Sequence, residues 1–359
     1  MESMKSDLQT RGSGGREGTP SHKRMFLFQF RPYRCPFRQP LRTHHGLWSV
    51  REGILIRLTH LDTGLDGYGE IAPIPWFGSE TLAEALQFCQ QLTSSISEAQ
   101  ILAIPEELSA CRFGLESAWL ACQETHFFHA DLSHLSFCYL LGADAGSLPP
   151  YPRVYKRKIG VAPIEQEWAE IKLLLEQLPR GSRLRLDANG GLTLAEAKQW
   201  LANCDALNRD LPGTVEWIEQ PLPPTQHSYL FQLSQTYQTP IALDESVAQL
   251  QQLQQLHRSG WRGILVVKPA LMGSCLALQD YLEQQHPPLD VVFSSALETP
   301  IGAWQGMVWA GSLQPKTAYP RAVGWGVGQC FSGWDPVRLV TASPAERAAL
   351  MQKVWQTWS

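Results

Sequence analysis

Apolar runs that are short enough for single strands recur at regular intervals through the middle of the chain. Six of them have the length and composition of buried strands: 154–159, 183–187, 215–219, 241–244, 264–268 and 291–294. Stretches with an apolar face at helical spacing lie between them, such as 165–178, 194–203, 246–257 and 271–285. Alternating strands and helices indicate βα units and a parallel sheet. A succession of such units favours a closed barrel, and no Gly-x-Gly-x-x-Gly motif follows a strand to support a dinucleotide fold.

The N-terminal part has a different pattern, in which strands come first and helices follow. Residues 25–33, 53–59 and 67–71 read as strands. Thr81 and Glu84 stand at the spacing of a capping box, which predicts that a helix begins there. This order of elements indicates a compact α+β unit.

The two patterns divide the chain into four parts. Residues 25–127 are predicted to form an α+β capping domain, and residues 128–315 a βα barrel that carries the candidate site. Residues 1–24 contain Gly-Ser-Gly-Gly, many charges and few apolar side chains, so we predict a disordered tag or extension. Residues 316–359 are predicted to leave the barrel and return to the capping domain.

The composition narrows the classes of function. With 44% apolar and 18% charged residues the chain has an ordinary globular composition, and its net charge of −4 gives no reason to expect a nucleic-acid partner. No apolar run reaches the roughly 20 residues needed to cross a bilayer. The eight cysteines are scattered without a Cys-x-x-Cys pair and read as reduced thiols. We therefore expect a cytoplasmic protein without nucleic-acid binding or membrane insertion.

Three carboxylates end three of the predicted strands. Asp187, Glu219 and Asp244 are each separated by about one βα unit, so they are predicted to meet at the carboxyl ends of adjacent strands. Active sites of βα barrels lie at that face. Three converging carboxylates repel one another unless a cation neutralises them, and Mg²⁺ prefers such oxygen ligands. The pattern predicts one divalent cation held by these three residues.

Lysines accompany the acids. Lys156 and Lys158 share one face of the strand before Asp187, and Arg157 faces the other way. Two ammonium groups side by side lower each other's pKa, which suits a catalytic base near neutral pH. Lys268 ends the strand after Asp244 and is predicted to lie across the barrel from Lys158. Lys156 alone is also consistent with a plain salt bridge.

A metal ion flanked by two lysines suits the removal of a proton next to a carboxylate. That step creates a dianionic enediolate, whose charge a metal ion stabilises while a lysine takes the proton. The residues thus predict an enzyme that acts on a small carboxylate.

The same residues form motifs that resemble the muconate-lactonizing branch of the enolase superfamily, and within it the o-succinylbenzoate synthases. The barrel motifs that carry the resemblance are Lys156-Arg157-Lys158, Asp187-Ala188-Asn189, Glu219-Gln220-Pro221, Asp244-Glu245-Ser246 and Lys268-Pro269. Further support comes from Gly69-Glu70-Ile71-Ala72-Pro73 and Ser294-Ser295-Ala296-Leu297-Glu298-Thr299. The resemblance covers residues 25 to about 334.

The resemblance implies a modified (β/α)₇β barrel under an N-terminal α+β capping domain. It implies Mg²⁺, with Mn²⁺ able to substitute, on the three acids. Lys158 would take the α-proton and return a proton to the leaving hydroxyl, and Lys268 would stabilise the enediolate. The implied reaction is syn-dehydration of 2-succinyl-6-hydroxy-2,4-cyclohexadiene-1-carboxylate to o-succinylbenzoate, a step of menaquinone or phylloquinone synthesis. The candidate substrate-binding residues are Lys156, Asn189, Ser294 and Ser295, of which the two serines would bind the succinyl carboxylate.

Other interpretations stay open at this point. An N-succinylamino acid racemase, or another epimerase or cycloisomerase of the superfamily, uses the same frame, and lysines on both faces do not separate these reactions. Ser294-Ser295-Ala296 stands where a dipeptide epimerase is expected to have Asp-x-Asp, which counts against that activity. A non-catalytic barrel that binds a small acid would not need both lysines. Residues 73–81, with Trp76 and Phe77, are predicted to be either a lid or a hydrophobic plug between the domains. The chain is expected to be a monomer or a homo-oligomer.

Overall fold

A computed structural model describes residues 24–43, 46–123, 130–142, 153–207 and 211–357. Apart from Arg24, the predicted N-terminal extension lies outside the described residues.

An antiparallel sheet forms the N-terminal unit, with its four strands in the order β3-β2-β1-β4. These strands are β1 (Met25–Thr43), β2 (Gly46–His60), β3 (Asp66–Ile71) and β4 (Ser95–Ser97). The helices of this unit are α1 (Leu82–Gln91), α2 (Glu98–Leu102) and α3 (Ser109–Gln123). Helix α1 begins with the predicted capping box, since the Thr81 hydroxyl accepts from Glu84 N and the Glu84 carboxylate accepts from Thr81 N.

Helix α3 packs unusually close to the sheet because two glycines of β3 face it. A Cβ atom at Gly69 would lie 2.0 Å from the Gly114 carbonyl oxygen, and one at Gly67 would lie 2.0 Å from that of Ala118. Only glycine permits this approach. The close contact fixes β3, and with it Glu70, against the rest of the molecule.

Eight parallel strands form the barrel in the spatial order β11-β10-β9-β8-β7-β6-β5-β12. They are β5 (Phe137–Leu141), β6 (Val154–Lys158), β7 (Ser182–Asp187), β8 (Gly213–Glu219), β9 (Ile241–Leu243), β10 (Ile264–Val267), β11 (Val291–Phe293) and β12 (Val323–Gly326). A parallel bridge between Ser294 and Gly324 joins the two ends of this order. The barrel helices are α4 (Ile164–Gln177), α5 (Leu194–Asp205), α6 (His227–Thr236), α7 (Leu250–Arg258), α8 (Cys275–Glu283) and α9 (Pro300–Leu313). The predicted βα barrel with an α+β capping domain is confirmed, and each of the six predicted strand runs corresponds to one of β6–β11.

The predicted end of the barrel at residue 315 is wrong. Strand β12 lies beyond it and pairs in parallel with β5. Its sequence, Val-Gly-Trp-Gly, carries too few apolar side chains to show strand periodicity. Both glycines are needed here, because a Cβ atom at Gly324 would lie 2.3 Å from Ser294 Oγ and one at Gly326 would lie 2.3 Å from the Cys138 carbonyl oxygen. The eighth strand can therefore be recognised from its pairing in the closed barrel but not from its own sequence.

The remaining C-terminal elements are α10 (Pro336–Thr341) and α11 (Pro344–Thr357). Trp355 of α11 lies under the guanidinium groups of Arg31 and Arg57, at 4.7 and 5.3 Å from the ring centre. Arg31 also donates a 2.8 Å hydrogen bond to the Trp355 carbonyl oxygen. The end of the chain thus contacts the capping sheet. In the described part of the chain, no helix has both the length and the apolar character that a membrane span requires.

Two buried glutamates of the capping domain join it to barrel helices. Glu70 accepts hydrogen bonds from Thr299 N (3.0 Å) and Gly302 N (2.9 Å) at the start of α9. Glu116 accepts from Ser274 Oγ (2.6 Å) and Leu276 N (3.1 Å) at the start of α8. Carboxylates are favourable there because the first N–H groups of a helix lack partners within the helix. These contacts hold the capping domain over the carboxyl ends of the strands.

Candidate active site

A cavity of about 710 Å³ lies between the barrel mouth and the capping domain. Its lining includes the predicted acids and lysines at the strand ends, together with Trp76 and Phe77 of the capping domain. Residues 73–81, which we call segment 73–81, therefore border the same space into which the strand ends point, and their role as a lid or as a plug stays a prediction.

The three predicted acids lie at the ends of neighbouring strands. Asp187 and Glu219 are direct partners in the register of β7 and β8, and Asp244 follows β9 immediately. All three are buried, with exposures of 6%, 2% and 3%. Sequence spacing thus predicted both their strands and their common location.

Lys156 lies between two of these acids. Its Nζ is 2.7 Å from Asp187 Oδ2 and 2.6 Å from Glu219 Oε1. Arg157 turns to the opposite side and meets Glu170 of α4, as strand alternation predicts. The charge of Lys156 therefore neutralises part of the negative charge of these acids.

Burial and charge together set the pKa values of this cluster. Burial alone would lower the pKa of Lys156, but Asp187, Glu219 and Asp244 outweigh it and raise that pKa well above its usual value. Burial would likewise raise the pKa of Asp187, yet Lys156 and Lys158 together bring it below its usual value. The Lys156–Asp187 pair is therefore held in its charged form.

The pKa values of the other two acids, Glu219 and Asp244, shift upwards instead. Burial raises the pKa of Glu219 to about 7, with repulsion from Asp187 and Asp244 adding to the rise against the pull of Lys156. Burial, aided by Glu245, raises the pKa of Asp244 to about 6 although Lys268 opposes it. Burial is the main cause of both rises in pKa, and the neighbouring acids add to it.

The donor set fits a hard divalent cation. Among the described residues, no three His, Cys, Asp or Glu side chains are arranged so that they could hold a metal ion. Lys156 instead bridges Asp187 and Glu219, and Lys268 pairs with Asp244. The oxygens nevertheless belong to the class that Mg²⁺ prefers. In addition, Glu245 Oε2 is buried and has no hydrogen-bond partner among the described residues. The chemistry of the acids and this unsatisfied oxygen both fit a cation at this position.

Lys158 and Lys268 flank the acids from two sides. Lys158 ends β6 and Lys268 follows β10, so the three strands that lead to the acids lie between them. Burial lowers the pKa of Lys158, and Lys156 adds to the effect while Asp187 opposes it. Lys268 donates to Asp244 Oδ1 and lies 4.2 Å from the ring centre of Phe77. The two lysines thus have different surroundings.

Phe77 belongs to segment 73–81, which hydrogen bonds hold on several sides. Arg51, which is 2% exposed, donates to the carbonyl oxygens of Ala72 (2.5 Å) and Pro73 (2.9 Å). Gln249 of the barrel donates to the Gly78 carbonyl oxygen at 2.8 Å. These bonds hold Phe77 over Lys268, a contact that the sequence did not reveal.

Asn189 and Ser295 both form hydrogen bonds with other residues of the protein. Asn189 has a φ of +45°, donates from N to Asp187 Oδ1 (3.0 Å) and donates from Nδ2 to Glu245 Oε1 (3.1 Å). Ser295 Oγ donates to Glu298 Oε2 (2.6 Å) and accepts from Leu297 N (2.8 Å). Both residues line the cavity. Their hydrogen bonds nevertheless shape the site, whereas their contact with substrate stays a prediction.

Ser294 lines the cavity beside the closing bridge to Gly324. Its backbone N–H donates to the Val267 carbonyl oxygen at 2.8 Å, which fixes it next to Lys268. Ser294 thus remains a candidate substrate-binding residue.

Sequence reasoning gave no structural role to Gln220, the residue after Glu219. Its side-chain oxygen accepts from Asp244 N (3.0 Å) and Ser246 N (3.2 Å), and its Nε2 donates to Leu222 O and Ser246 Oγ, both at 2.8 Å. The amide thus satisfies two donors and two acceptors while fully buried. It fixes the backbone of Asp244 relative to Glu219, and its place within the Glu219-Gln220-Pro221 motif was the only signal.

Arg185, two residues before Asp187, lies deeper in the barrel. It donates to Glu216 Oε2 (2.8 Å) and to the Ala322 carbonyl oxygen (2.8 Å), and its guanidinium lies 4.0 Å from the ring centre of Trp217. This cluster forms the floor of the cavity, since both Arg185 and Trp217 line it.

Two family models match the chain in the order of its two units. Residues 23–122 match the model described as MenC, N-terminal domain, and residues 150–284 match Enolase C-terminal domain-like. The o-succinylbenzoate synthase of Thermosynechococcus vestitus is 37% identical over 336 residues, which are 92% of this chain and 98% of that protein. The chain belongs to the o-succinylbenzoate synthase family of the enolase superfamily. The resemblance seen in the sequence motifs is thereby confirmed.

Other relatives and solved structures agree with this family. The o-succinylbenzoate synthase of Yersinia enterocolitica is 30% identical over 79% of this chain and 86% of that protein. The crystal structure of o-succinylbenzoate synthase from Thermosynechococcus elongatus BP-1, complexed with Mg in the active site, has a TM-score of 0.76 at 35% identity, covering 91% of this chain and 99% of that one. The L-Ala-D/L-Glu epimerase from Bacillus subtilis has a TM-score of 0.65 at 19% identity, covering 84% and 89%, and shares the fold.

Proposed function

We propose that the protein is an Mg²⁺-dependent hydro-lyase that dehydrates 2-succinyl-6-hydroxy-2,4-cyclohexadiene-1-carboxylate to o-succinylbenzoate. The observation that carries the proposal is the full-length similarity to an o-succinylbenzoate synthase, with 37% identity over 98% of that relative. The activity places the protein in menaquinone or phylloquinone biosynthesis.

The cation would be held by Asp187, Glu219 and Asp244, whose buried oxygens suit it. When bound, it supplies positive charge that offsets the negative charge developing on the substrate carboxylate. Lys156 contacts two of these acids, and Gln220 and Asn189 hold the backbone and side chains around them.

Lys158 is the proton carrier in this proposal. Its lowered pKa favours the neutral amine, which removes the proton on the carbon next to the carboxylate. The electron pair of the broken C–H bond is first held in the enediolate of the substrate carboxylate, and it then forms the new ring C=C bond as the C–O bond to the hydroxyl breaks. The proton held on Lys158 goes to the leaving hydroxyl, so water departs and an aromatic ring remains.

Lys268 has a different role because it is an ammonium group paired with Asp244 beneath an aromatic ring. It contributes positive charge on the side of the site opposite Lys158 as negative charge builds on the substrate. Ser294 and Ser295 are proposed to bind the succinyl carboxylate, since they lie next to Lys268 at the end of β11.

The racemisation of N-succinyl amino acids is the second candidate activity. The observation in its favour is the placement of two lysines on opposite sides of the acids, which lets protons be removed and returned on either face. The similarity to o-succinylbenzoate synthases favours dehydration.

The test is an ultraviolet assay for the aromatic product, run on the cyclohexadiene substrate with Mg²⁺. A racemase assay on N-succinyl amino acids is run on the same preparation. We expect efficient dehydration, because the lysines and acids of the family are all in place. Absence of aromatic product under conditions where the racemase assay is strongly positive would refute the proposal. A cytoplasmic location, the lack of a nucleic-acid partner and the monomeric or homo-oligomeric state stay predictions.

A further inference from the structure

The turn that follows Lys158 is anchored by a buried carboxylate. Glu167 of α4 is 6% exposed and accepts hydrogen bonds from three successive backbone N–H groups. These are Gly160 N to Oε2 at 2.7 Å, Val161 N to Oε1 at 2.9 Å and Ala162 N to Oε1 at 3.0 Å. The first of these donors is only two residues from Lys158.

Glu167 does more than cap its own helix. The donors it binds precede α4, which begins at Ile164, and the N-cap residue Pro163 makes no side-chain capping bond. For comparison, the Glu196 carboxylate of α5 accepts hydrogen bonds from Thr193 in an ordinary capping box. The carboxylate of Glu167 therefore fixes the loop that connects Lys158 to the helix.

Two other features constrain this turn. Ile159 N donates to the Asp187 carbonyl oxygen at 2.8 Å, which ties the turn to the end of β7. Gly160 has a φ of +76°, and a Cβ atom there would lie 2.9 Å from Leu192 Cδ2. Glycine supplies the left-handed turn but no stiffness. The carboxylate of Glu167 supplies the stiffness from the first turn of α4.

We infer that Glu167 is a positioning residue for the reaction, which holds the backbone of Lys158 so that its amine meets the substrate carbon. The inference rests on the proposed function, because it assumes that Lys158 carries the proton. Charge-assisted bonds from a carboxylate to backbone N–H groups are stronger than neutral ones, so three of them define the end of β6 firmly. A displacement of about 1 Å at a reacting group can cost roughly 100-fold in rate.

The experiment compares Glu167→Gln, Glu167→Ala and the control Glu196→Ala in the holoenzyme. Glutamine keeps the size and one acceptor oxygen but places an NH₂ group against at least one of the three N–H donors. Glu196→Ala removes a carboxylate from the first turn of the neighbouring barrel helix without touching a strand end. The measurements are kcat and KM for dehydration, the isotope effect of a deuterium at the α-carbon, and the thermal midpoint of each variant.

We expect kcat to fall about 10-fold in Glu167→Gln and about 100-fold in Glu167→Ala, with KM within about threefold of wild type, because positioning affects the transition state more than binding. The isotope effect should rise as proton transfer becomes limiting. Glu196→Ala should keep wild-type kcat despite its lost cap.

Wild-type kcat in a folded Glu167→Gln protein would overturn the inference, as would a loss confined to KM or an equal loss of kcat in Glu196→Ala. If Glu167→Ala does not fold, Glu167→Gln decides. The wild-type assay separates the two hypotheses. An inactive wild type refutes the proposed function and the inference with it, whereas an active wild type with unaffected Glu167 variants refutes positioning alone.

Discussion

At the scale of single residues, Lys158 and Lys268 differ in what surrounds their amines. Burial and the neighbouring Lys156 lower the pKa of Lys158. Lys268 instead contacts a carboxylate on one side and the ring of Phe77 on another. A neutral amine can accept a proton, whereas a paired ammonium group stabilises developing negative charge. The asymmetry suits a reaction in which one lysine moves the proton and the other does not.

Lys158→Ala is expected to lower kcat by about 10³-fold, within the usual contribution of a general base and acid. Mg²⁺ binding should persist, because Lys158 is not among the proposed ligands, and isothermal titration with Mg²⁺ measures it. Arg153→Ala is the control, since Arg153 is an exposed residue just before the same strand and does not line the cavity. Near-normal turnover of Lys158→Ala, or an equal loss in Arg153→Ala, would contradict the assignment.

Sequence spacing predicted the acids and lysines because a strand end is a fixed place in a βα unit. It could not reveal that Ser295 bonds to Glu298, since a hydroxyl in a loop takes whichever partner the loop conformation offers. The contact of Phe77 with Lys268 was equally hidden, because it joins two domains across 191 positions of sequence whose relative placement no local pattern encodes.

At the scale of elements, the start of helix α9 depends on a residue of the capping sheet. Glu70 receives the Thr299 and Gly302 N–H groups, the Thr299 hydroxyl and, at 2.5 Å, the Tyr33 hydroxyl. It has no exposed surface. Helix α9 and strand β3 therefore satisfy each other's polar groups, and neither element can separate from the other without leaving them unpaired.

Glu70→Gln is expected to destabilise the protein by about 1–3 kcal/mol, because an amide NH₂ would face N–H and O–H donors in a buried site. The midpoint of urea unfolding measures the loss. Glu84→Gln, at an exposed capping box of the same domain, is the control and should change the midpoint little. An unchanged midpoint for Glu70→Gln would show that this junction contributes nothing to stability.

Elements with strong periodicity were predictable, and those whose form depends on a neighbour were not. The alternation of apolar strands and amphipathic helices predicted β6 to β11 in order. Strand β12 was missed because Gly324 lets Ser294 approach and Gly326 lets β5 approach, which are properties of the closed ring and not of the segment. The same holds for Gly67 and Gly69, which read as an ordinary strand but are required by α3.

At the scale of the whole molecule, the cavity exists only where the two domains meet. Segment 73–81 comes from the capping domain, and the acids and lysines come from the barrel. Glu70, Glu116 and Arg51 join the two domains. Helix α11 adds a further connection through Trp355. Opening of the domain junction would therefore disturb the position of Phe77 before it disturbed the acids.

Mg²⁺ should stabilise the whole molecule because only the folded chain brings Asp187, Glu219 and Asp244 together. At a Mg²⁺ concentration 100 times the dissociation constant, the expected gain is about 2.7 kcal/mol, seen as a higher thermal midpoint. Excess chelator should abolish dehydration, and added Mg²⁺ should restore it. Asp244→Asn is the control, because loss of one carboxylate should weaken both the stabilisation and the activity. Full activity in excess chelator, or an equal Mg²⁺ shift in Asp244→Asn, would show that the cation does not act at these three acids.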